Sequence, residues 1–100
     1  MSQIEFALSA QGGTLSGEFT RHTVPTLAAN TIKKLLKNDN AVLDLKAVSG
    51  VDTAGLAWLL ALVEQAEKAR KEVTLKHLPE DLLKLAKLSG VDHFLPIREC

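Results

Sequence analysis

The sequence predicts an α/β fold, and its hydrophobic pattern supports that class in two ways. Two runs near the N-terminus alternate apolar and polar residues around a glycine-containing turn, as the strands of a β-hairpin do. Short apolar runs then alternate with longer stretches of helical period, which is typical of parallel strand–helix–strand units. We therefore expect the order β-β-α-β-α-β-α, with a mixed sheet and packed helices, in a single domain over residues 1–100.

The predicted hairpin comes first. In IEFALS, the positions that would face a core are Ile4, Phe6 and Leu8, with other residues alternating between them. QGG then supplies a turn, because glycine adopts positive φ at little cost. In TLSGEF the inward positions include Leu15 and Phe19.

The period changes to that of a helix after the hairpin. From Val24 to Leu36 the apolar residues recur at helical spacing, so we expect one amphipathic helix there. Pro25 fits its first turn, where the missing N–H is no loss. Lys33, Lys34 and Lys37 lie towards its C-terminus, where cations complement the helix dipole, and we interpret them as a solvated face.

A strand–helix–strand unit occupies the middle of the chain. AVLDL, residues 41–45, is nearly all apolar, as expected of a central strand that is covered on at least one face. A loop follows, and then a helix from about Thr53 to Ala69. VTLKH alternates again, with Val73 and Leu75 on one side, and predicts a second strand parallel to the first.

A last helix closes the predicted fold. Pro79 and the two acidic residues after it open this helix, and Gly90 stands at its end, where glycine is favoured. HFLPI adds a short extended segment. The expected apolar side of the helix consists of Leu82, Leu85, Ala86 and Leu88.

The composition excludes several classes of function. Twelve basic residues balance twelve acidic ones, so the overall field attracts neither nucleic acid nor anionic lipid. The one cysteine, Cys100, forms no internal disulfide, and we interpret it as an incidental solvated thiol. The N-terminus lacks a signal-peptide pattern. The longest apolar run, Leu56 to Val63, is eight residues, whereas a membrane span needs roughly 20. We expect a soluble cytoplasmic protein without direct membrane insertion.

Catalytic and metal-binding motifs are also missing from the sequence. His22, His77 and His93 are far apart and have no metal-ligand spacing with cysteine. Asp44 and Asp52 are candidates for paired carboxylates, but strand-end and capping roles explain both. We therefore expect no catalytic residues, no metal and no cofactor, and so no enzyme.

The most informative stretch is VSGVDTAGLAWLLALVEQA, residues 48–66. Thr53 follows a predicted central strand, and open α/β sheets place their sites in loops at the carboxyl ends of such strands. It also precedes a helix, where the side chain of either Asp52 or Thr53 can cap a free backbone N–H. Capping is the simpler explanation, but the Thr53 hydroxyl is also a group that a kinase can phosphorylate.

The helix after Thr53 has more apolar surface than one core contact requires. Trp58 projects away from the expected core face, on the side of Ala54, Ala61 and Gln65. Either a neighbouring helix buries this surplus, or another protein does; Trp with small neighbours suits an interface anchor. The expected core face consists of Leu56, Leu59, Leu60 and Val63. The hypothetical partner-binding surface consists of Asp52, Thr53, Ala54, Gly55, Ala57, Trp58 and Ala61.

The stretch AVLDLKAVSGVDTAGLAWLL resembles the signature of STAS domains, a family that includes anti-sigma factor antagonists. That signature is a strand ending in Asp-Leu, then a loop, then Asp-Ser/Thr-x-Gly-Leu at the start of a helix. The matching residues are Asp44, Leu45, Asp52, Thr53, Gly55 and Leu56. The hairpin before the motif and the strand and helix after it also fit, so the resemblance covers nearly the whole chain and implies a STAS-like fold.

Within that family the chain is most similar to the small cytoplasmic STAS subunit of Mla-type ABC complexes, which transport phospholipids. This resemblance rests on VDTAGLA, with its Thr, and on LLALVEQAEKARKEVTLKHL. It implies binding to the ATPase subunit of the complex, with Thr53 and the start of its helix at the contact, peripheral to the inner membrane. It also implies a role in assembling or activating that ATPase during transport that maintains outer-membrane lipid asymmetry.

One departure from the family pattern keeps a second function open. Many anti-sigma factor antagonists have Asp-Ser-Ser-Gly at the motif, with the first Ser phosphorylated by a partner kinase, whereas this chain has Asp-Thr-Ala-Gly. A helix N-terminus favours a phosphate on Thr53, but Asp52 and Asp44 repel its charge of roughly −1.5 to −2. The alternative function is an anti-sigma factor antagonist switched by phosphorylation of Thr53. A third is a ligand-binding STAS domain, for which the sequence has no pocket motif.

Overall fold

The structure, a computed structural model, describes residues 3–98. A β-hairpin comes first, and strands and helices alternate after it. The strands are β1 (Ile4–Ser9), β2 (Gly12–Phe19), β3 (Asn40–Val51), β4 (Glu72–Lys76) and β5 (Ile97–Arg98). The helices are α1 (Thr31–Leu35), α2 (Thr53–Lys68) and α3 (Glu80–Leu88), with 3-10 turns at Val24–Thr26 and Asp92–Phe94. The predicted order is confirmed. HFLPI was expected to be extended, but His93 and Phe94 lie in the second 3-10 turn, and only its last residue, Ile97, belongs to β5.

The strands form one mixed sheet in the order β1-β2-β3-β4-β5. β1 and β2 pair antiparallel, whereas β3 pairs parallel with both β2 and β4, and β4 pairs parallel with β5. β3 is therefore the central strand, and α2 is the crossover from β3 to β4. This confirms the hairpin, the strand–helix–strand unit and the α/β class.

The core lies on one face of this sheet. Along β3, Ala41, Leu43 and Leu45 are buried, while Val42 and Asp44 between them are partly exposed. The buried apolar side chains of strands and helices join one cluster. The helices therefore cover one face, and the opposite face carries the half-exposed and exposed residues of the strands.

The prediction of one helix from Val24 to Leu36 is wrong. The structure has a 3-10 turn, then extended backbone at Leu27 (ψ 136°), and only then α1. The Thr23 hydroxyl anchors the turn to the end of β2 by donating to the Glu18 carbonyl at 2.6 Å, and Thr26 donates back to the Thr23 carbonyl. Such local bonds compete with helix formation. The helical spacing misled because both segments turn their apolar side chains to the same core.

The boundary predicted for the central strand is also wrong. β3 runs on through KAVSGV to Val51, where a loop was expected. The extension pairs with the end of β2, where Phe19 lies beside Val51, across two register shifts. Tertiary pairing thus overrides the weak strand preference of Ser49 and Gly50. As a result, one residue alone, Asp52, separates the central strand from α2.

Two leucines predicted to face the core are exposed. Leu8 is 56% exposed because its neighbour across the hairpin is Gly13, and the space over Gly13 is filled by the Phe6 ring. Leu88 is 86% exposed because, at about 100° per residue, it points away from the buried Leu82.

Other expectations about the ends of the chain have mixed outcomes. Gly90 has φ +71° and closes α3, with the Val91 N–H donating to the Ala86 carbonyl at 2.9 Å, so the predicted glycine cap is confirmed. Cys100 lies outside the described residues. Within residues 3–98, no helix combines the length and the apolar character that crossing a membrane requires.

Candidate partner-binding site

The candidate site lies where the central strand passes into α2. Asp52 caps the helix: its Oδ1 accepts from the backbone N–H of Ala54 at 2.8 Å and of Gly55 at 3.4 Å. The choice that the sequence left open, Asp52 or Thr53, is therefore settled in favour of Asp52. Thr53 is the first residue of α2, and its side chain is exposed.

The same carboxylate also fastens the helix to β2. Its Oδ2 accepts from the backbone N–H of Arg21 at 2.9 Å, and the Asp52 N–H donates to the Phe19 carbonyl at 3.4 Å. Desolvation by burial raises the pKa of Asp52, but the three backbone N–H donors and the Arg21 charge outweigh it, so the pKa lies below its ordinary value. An ionised carboxylate thus occupies the positive end of the helix dipole.

Gly55 brings the helix start close to β2. It is buried, and a Cβ there would lie 2.5 Å from the Phe19 carbonyl oxygen and 2.9 Å from a carbon of the Phe19 ring. Neither distance is tolerable, so glycine is required for this approach. Within the predicted surface, Gly55 therefore has a packing role and determines where Thr53 lies.

The buried face of α2 differs from the predicted one. Leu60 and Val63, which were expected in the core, are only half-buried, and Leu62, which was not, is fully buried. The buried face is rotated about the helix axis relative to the predicted one, because Gly55 at the start of the helix packs against Phe19. The buried residues are Gly55, Leu56, Leu59, Leu62 and Ala66.

Trp58 is half-buried. Its ring meets the Phe19 ring edge-on, with the centroids 5.7 Å apart and an angle of 77° between the planes. An edge-to-face pair of this kind holds both rings in place. One side of the Trp58 ring thus packs on the core, and the other side is part of the surface. Trp58 is therefore both a core residue and a surface residue.

The first half of α2 presents an uncharged surface of small side chains, which we call the outer α2 face. Thr53, Ala57 and Ala61 are exposed along it, and Ala54 and Trp58 flank it half-buried. The second half is polar and carries an ion pair between Lys68 and Glu64 at 3.0 Å. The outer α2 face brings together every exposed or half-exposed residue of the predicted surface that lies on the helix.

The second carboxylate of the family motif lies elsewhere. Asp44 Oδ1 is 3.0 Å from His77 Nδ1 and accepts from the Lys46 backbone N–H. Burial raises the pKa of Asp44, but that N–H and the His77 ring outweigh it, and the pKa lies below its ordinary value. At about 3.3 Å per residue, Asp44 lies roughly 25 Å from Asp52. The two carboxylates are therefore unpaired with each other, and Asp44 exerts little repulsion at Thr53.

The other histidines have separate surroundings. His22 accepts from Arg21 Nε at 3.4 Å, and the His93 ring lies on the Phe94 ring with centroids 4.2 Å apart. In the described range, His, Cys, Asp and Glu side chains form no cluster of three suited to a metal ion. Sequence reasoning missed Phe19 and Arg21, which support the site from the end of β2, because no local pattern connects them to residues more than thirty positions later.

The chain is similar to proteins of one family. A family model described as "Mlab, STAS domain" matches residues 3–97. The intermembrane phospholipid transport system binding proteins MlaB of Escherichia coli (strain K12) and of Shigella flexneri are each 48% identical over 46 residues, which is 46% of this chain and 47% of theirs. The match thus spans about half the length of these curated relatives.

A solved structure shares the fold. The anti-sigma factor antagonist SpoIIAA in its unphosphorylated form superposes with a TM-score of 0.69, over 96% of this chain and 88% of that one. The two sequences are 14% identical, so this likeness concerns the fold alone.

Proposed function

The chain belongs to the MlaB-type STAS domain family, and from that premise we propose that it is a non-catalytic subunit of an ABC phospholipid transporter. It acts as a single domain that docks on the transporter's ATPase subunit and regulates it, in the cytoplasm and at the inner membrane through that partner. The transport maintains outer-membrane lipid asymmetry. The MlaB relatives, named for intermembrane phospholipid transport, motivate the choice of partner.

The observation that carries this proposal is the outer α2 face. From Thr53 to Val63 the helix contains no charged residue, although Ala57 and Ala61 are exposed. Charge depletion and a rigid aromatic anchor are features of the centre of a protein interface. Trp58 provides such an anchor, and the alanines beside it let a partner approach the helix closely.

The bonding of the nearby carboxylate supports a binding role over catalysis. Both Asp52 oxygens accept from backbone N–H groups, and an acceptor held in this way by a helix N-terminus is poorly placed to act as a base. Asp52, the acidic residue that directly precedes the exposed Thr53, is thus committed to capping.

A second candidate function is the phosphorylation-switched antagonist, and the exposure of Thr53 favours it. A phosphate on Thr53 would stand beside the ionised Asp52, which already takes the N–H groups of Ala54 and Gly55. The added charge of roughly −1.5 to −2 would then meet repulsion and few donors. Phosphorylation would therefore switch partner binding off.

Affinity capture from the native cell lysate, read by mass spectrometry, tests the proposal and separates the two functions. We expect the wild-type chain to capture an ABC ATPase with its permease, and Thr53→Glu to lose both. Ser9→Glu places the same charge on an exposed serine at the other end of the sheet, and it should capture the ATPase normally. Capture of an anti-sigma kinase, with phosphate on Thr53, would replace the first function by the second. Equal capture of the ATPase by all three proteins would remove Thr53 from the interface.

A further inference from the structure

The outer edge of β1 lacks most of the features that usually protect an edge strand. β1 is the first strand of the sheet, and within residues 3–98 its outer side pairs with no other strand. Proteins protect such edges with charged side chains, especially lysine, and with proline, bulges or very short strands. IEFALS has one charged residue, Glu5, but neither lysine nor proline; it spans six residues and pairs with β2 without a register shift. This edge is therefore able to accept another strand.

The hydrogen bonds of the hairpin show which backbone groups face outwards. The Gln3 carbonyl accepts from the Glu18 N–H at 2.9 Å and so faces β2. Because backbone groups alternate along an antiparallel strand, those of Ile4, Phe6 and Leu8 point to the open edge. The three residues with outward backbone groups are thus the three whose side chains lie on the core face of the sheet.

A second copy of β1 fits this edge in one antiparallel register. With Phe6 opposite Phe6 of the second copy, Ile4 lies opposite Leu8 and Glu5 lies opposite Ala7. The outward groups of Ile4, Phe6 and Leu8 then form about six hydrogen bonds across the edge. Apolar residues meet apolar residues on the core side, and on the other side no glutamate faces a glutamate directly.

We propose that β1 is a homodimerisation edge, through which two copies of the chain join their sheets about a two-fold axis at Phe6. The exposed Leu8, which has only Gly13 across the hairpin, gains a partner in Ile4 of the second copy. The joined sheet has ten strands with the helices of both copies on one face. The interface is isologous, as closed two-fold dimers require.

The dimer leaves the proposed ATPase contact free. Its contacts come from β1 alone, whereas the outer α2 face follows β3. One pair of six-residue strands is small compared with a stable protein interface, so the association is weak and depends on concentration. A dimer would present two outer α2 faces in one particle.

Sedimentation velocity of the full chain from micromolar to millimolar concentration tests the dimer. We expect the mass to rise from 10.8 kDa towards twice that value as concentration increases. Leu8→Lys adds a charge at the edge and should weaken association by about tenfold or more. Leu88→Lys is the matched control, because Leu88 is also exposed but lies at the end of α3, and it should associate as wild type does. A chain that stays monomeric at millimolar concentration, or that associates equally in both variants, would overturn the proposal.

Cross-linking tests the register independently. Glu5→Cys and Ala7→Cys, each in a Cys100→Ser background, are mixed under mild oxidation. In the proposed register positions 5 and 7 of opposite copies form a close pair about 4.5 Å apart at Cα, within the range for a disulfide. We expect mixed disulfides to exceed either homodisulfide severalfold. Homodisulfides in equal or greater yield would contradict the register.

Discussion

Asp52 joins three parts of the molecule through one carboxylate. It caps α2, ties that helix to Arg21 after β2, and directly follows the central strand. The sequence predicted a cap at Asp52 or Thr53 but could not choose between them, since both side chains suit the role. The backbone N–H of Arg21 donates to Asp52 and so favours Asp52 as the cap. Arg21 lies 31 residues away in the sequence, so no local pattern reveals this bond. Thr53 is therefore not needed for the cap, and its side chain is exposed.

Removing the cap should destabilise the fold. We expect Asp52→Ala to lower the free energy of unfolding by about 1–2 kcal/mol, because two helix N–H groups and the Arg21 N–H lose their acceptor. Thr53→Ala, the matched control, should change it by less than about 0.5 kcal/mol, as an exposed substitution does. Urea unfolding measures both. Equal losses would mean that Thr53 shares the cap.

The charge of Asp52 should make stability depend on pH in a defined direction. Its pKa is lowered in the folded chain, so the unfolded chain binds more protons in the acid range. The stabilisation is full above the ordinary pKa of 3.8 and is lost as pH falls through the lower folded value. Asp52→Asn keeps a capping oxygen without the charge, so the difference from wild type should shrink below that pH. A difference that is independent of pH would contradict this.

The glycine at position 55 should resist substitution. Alanine normally stabilises a helix by about 1 kcal/mol relative to glycine, but here its Cβ would meet the Phe19 carbonyl. We expect Gly55→Ala to lower stability by about 1–3 kcal/mol, as overpacking does. Thermal unfolding measures the change, with Ala57→Gly on the exposed side as the reference for helix propensity alone. A higher melting temperature for Gly55→Ala would show that the contact is not tight.

At the scale of elements, the spacing of apolar residues predicts a helix or strand correctly where that single element accounts for the whole pattern. α2, β4 and α3 lie where their patterns predicted them. Periodicity misleads at Val24–Leu36 because a turn and a short helix share one apolar side. It also misses the end of β3, because pairing with β2 extends the strand through Gly50. The position of Thr53 after a strand was predictable, but its separation from that strand by a single residue was not.

The end of α2 contains a residue in an unfavourable conformation. Arg70 has φ +56° and completes the helix end, where the Lys71 N–H donates to the Ala66 carbonyl at 2.9 Å. Glycine adopts this conformation freely, whereas other residues lose about 1–2 kcal/mol there. We therefore expect Arg70→Gly to be more stable than Arg70→Ala by about 1 kcal/mol in chemical unfolding. Equal stability of the two variants would show that the strain is relieved elsewhere.

At the scale of the whole molecule, the placement of helices on one face of the sheet explains the site. The sheet buries one side of α2, β2 supports its start through Phe19, and the outer side of its first two turns remains exposed. The STAS fold was predictable because the motif and the order of elements agree over nearly the whole chain. The rotation of α2 about its axis was not, because it depends on the contact between Gly55 and Phe19.

The most direct test of the central claim, that the outer α2 face binds the transporter ATPase, is a calorimetric titration of the purified Mla-type ATPase subunit with this chain. Ala57→Arg puts a long charged side chain in the middle of that face, and Ala69→Arg makes the same change at the exposed end of the same helix. We predict that Ala57→Arg weakens binding by about tenfold or more, with an unchanged melting temperature, while Ala69→Arg binds as wild type does. Wild-type affinity in folded Ala57→Arg would contradict the account.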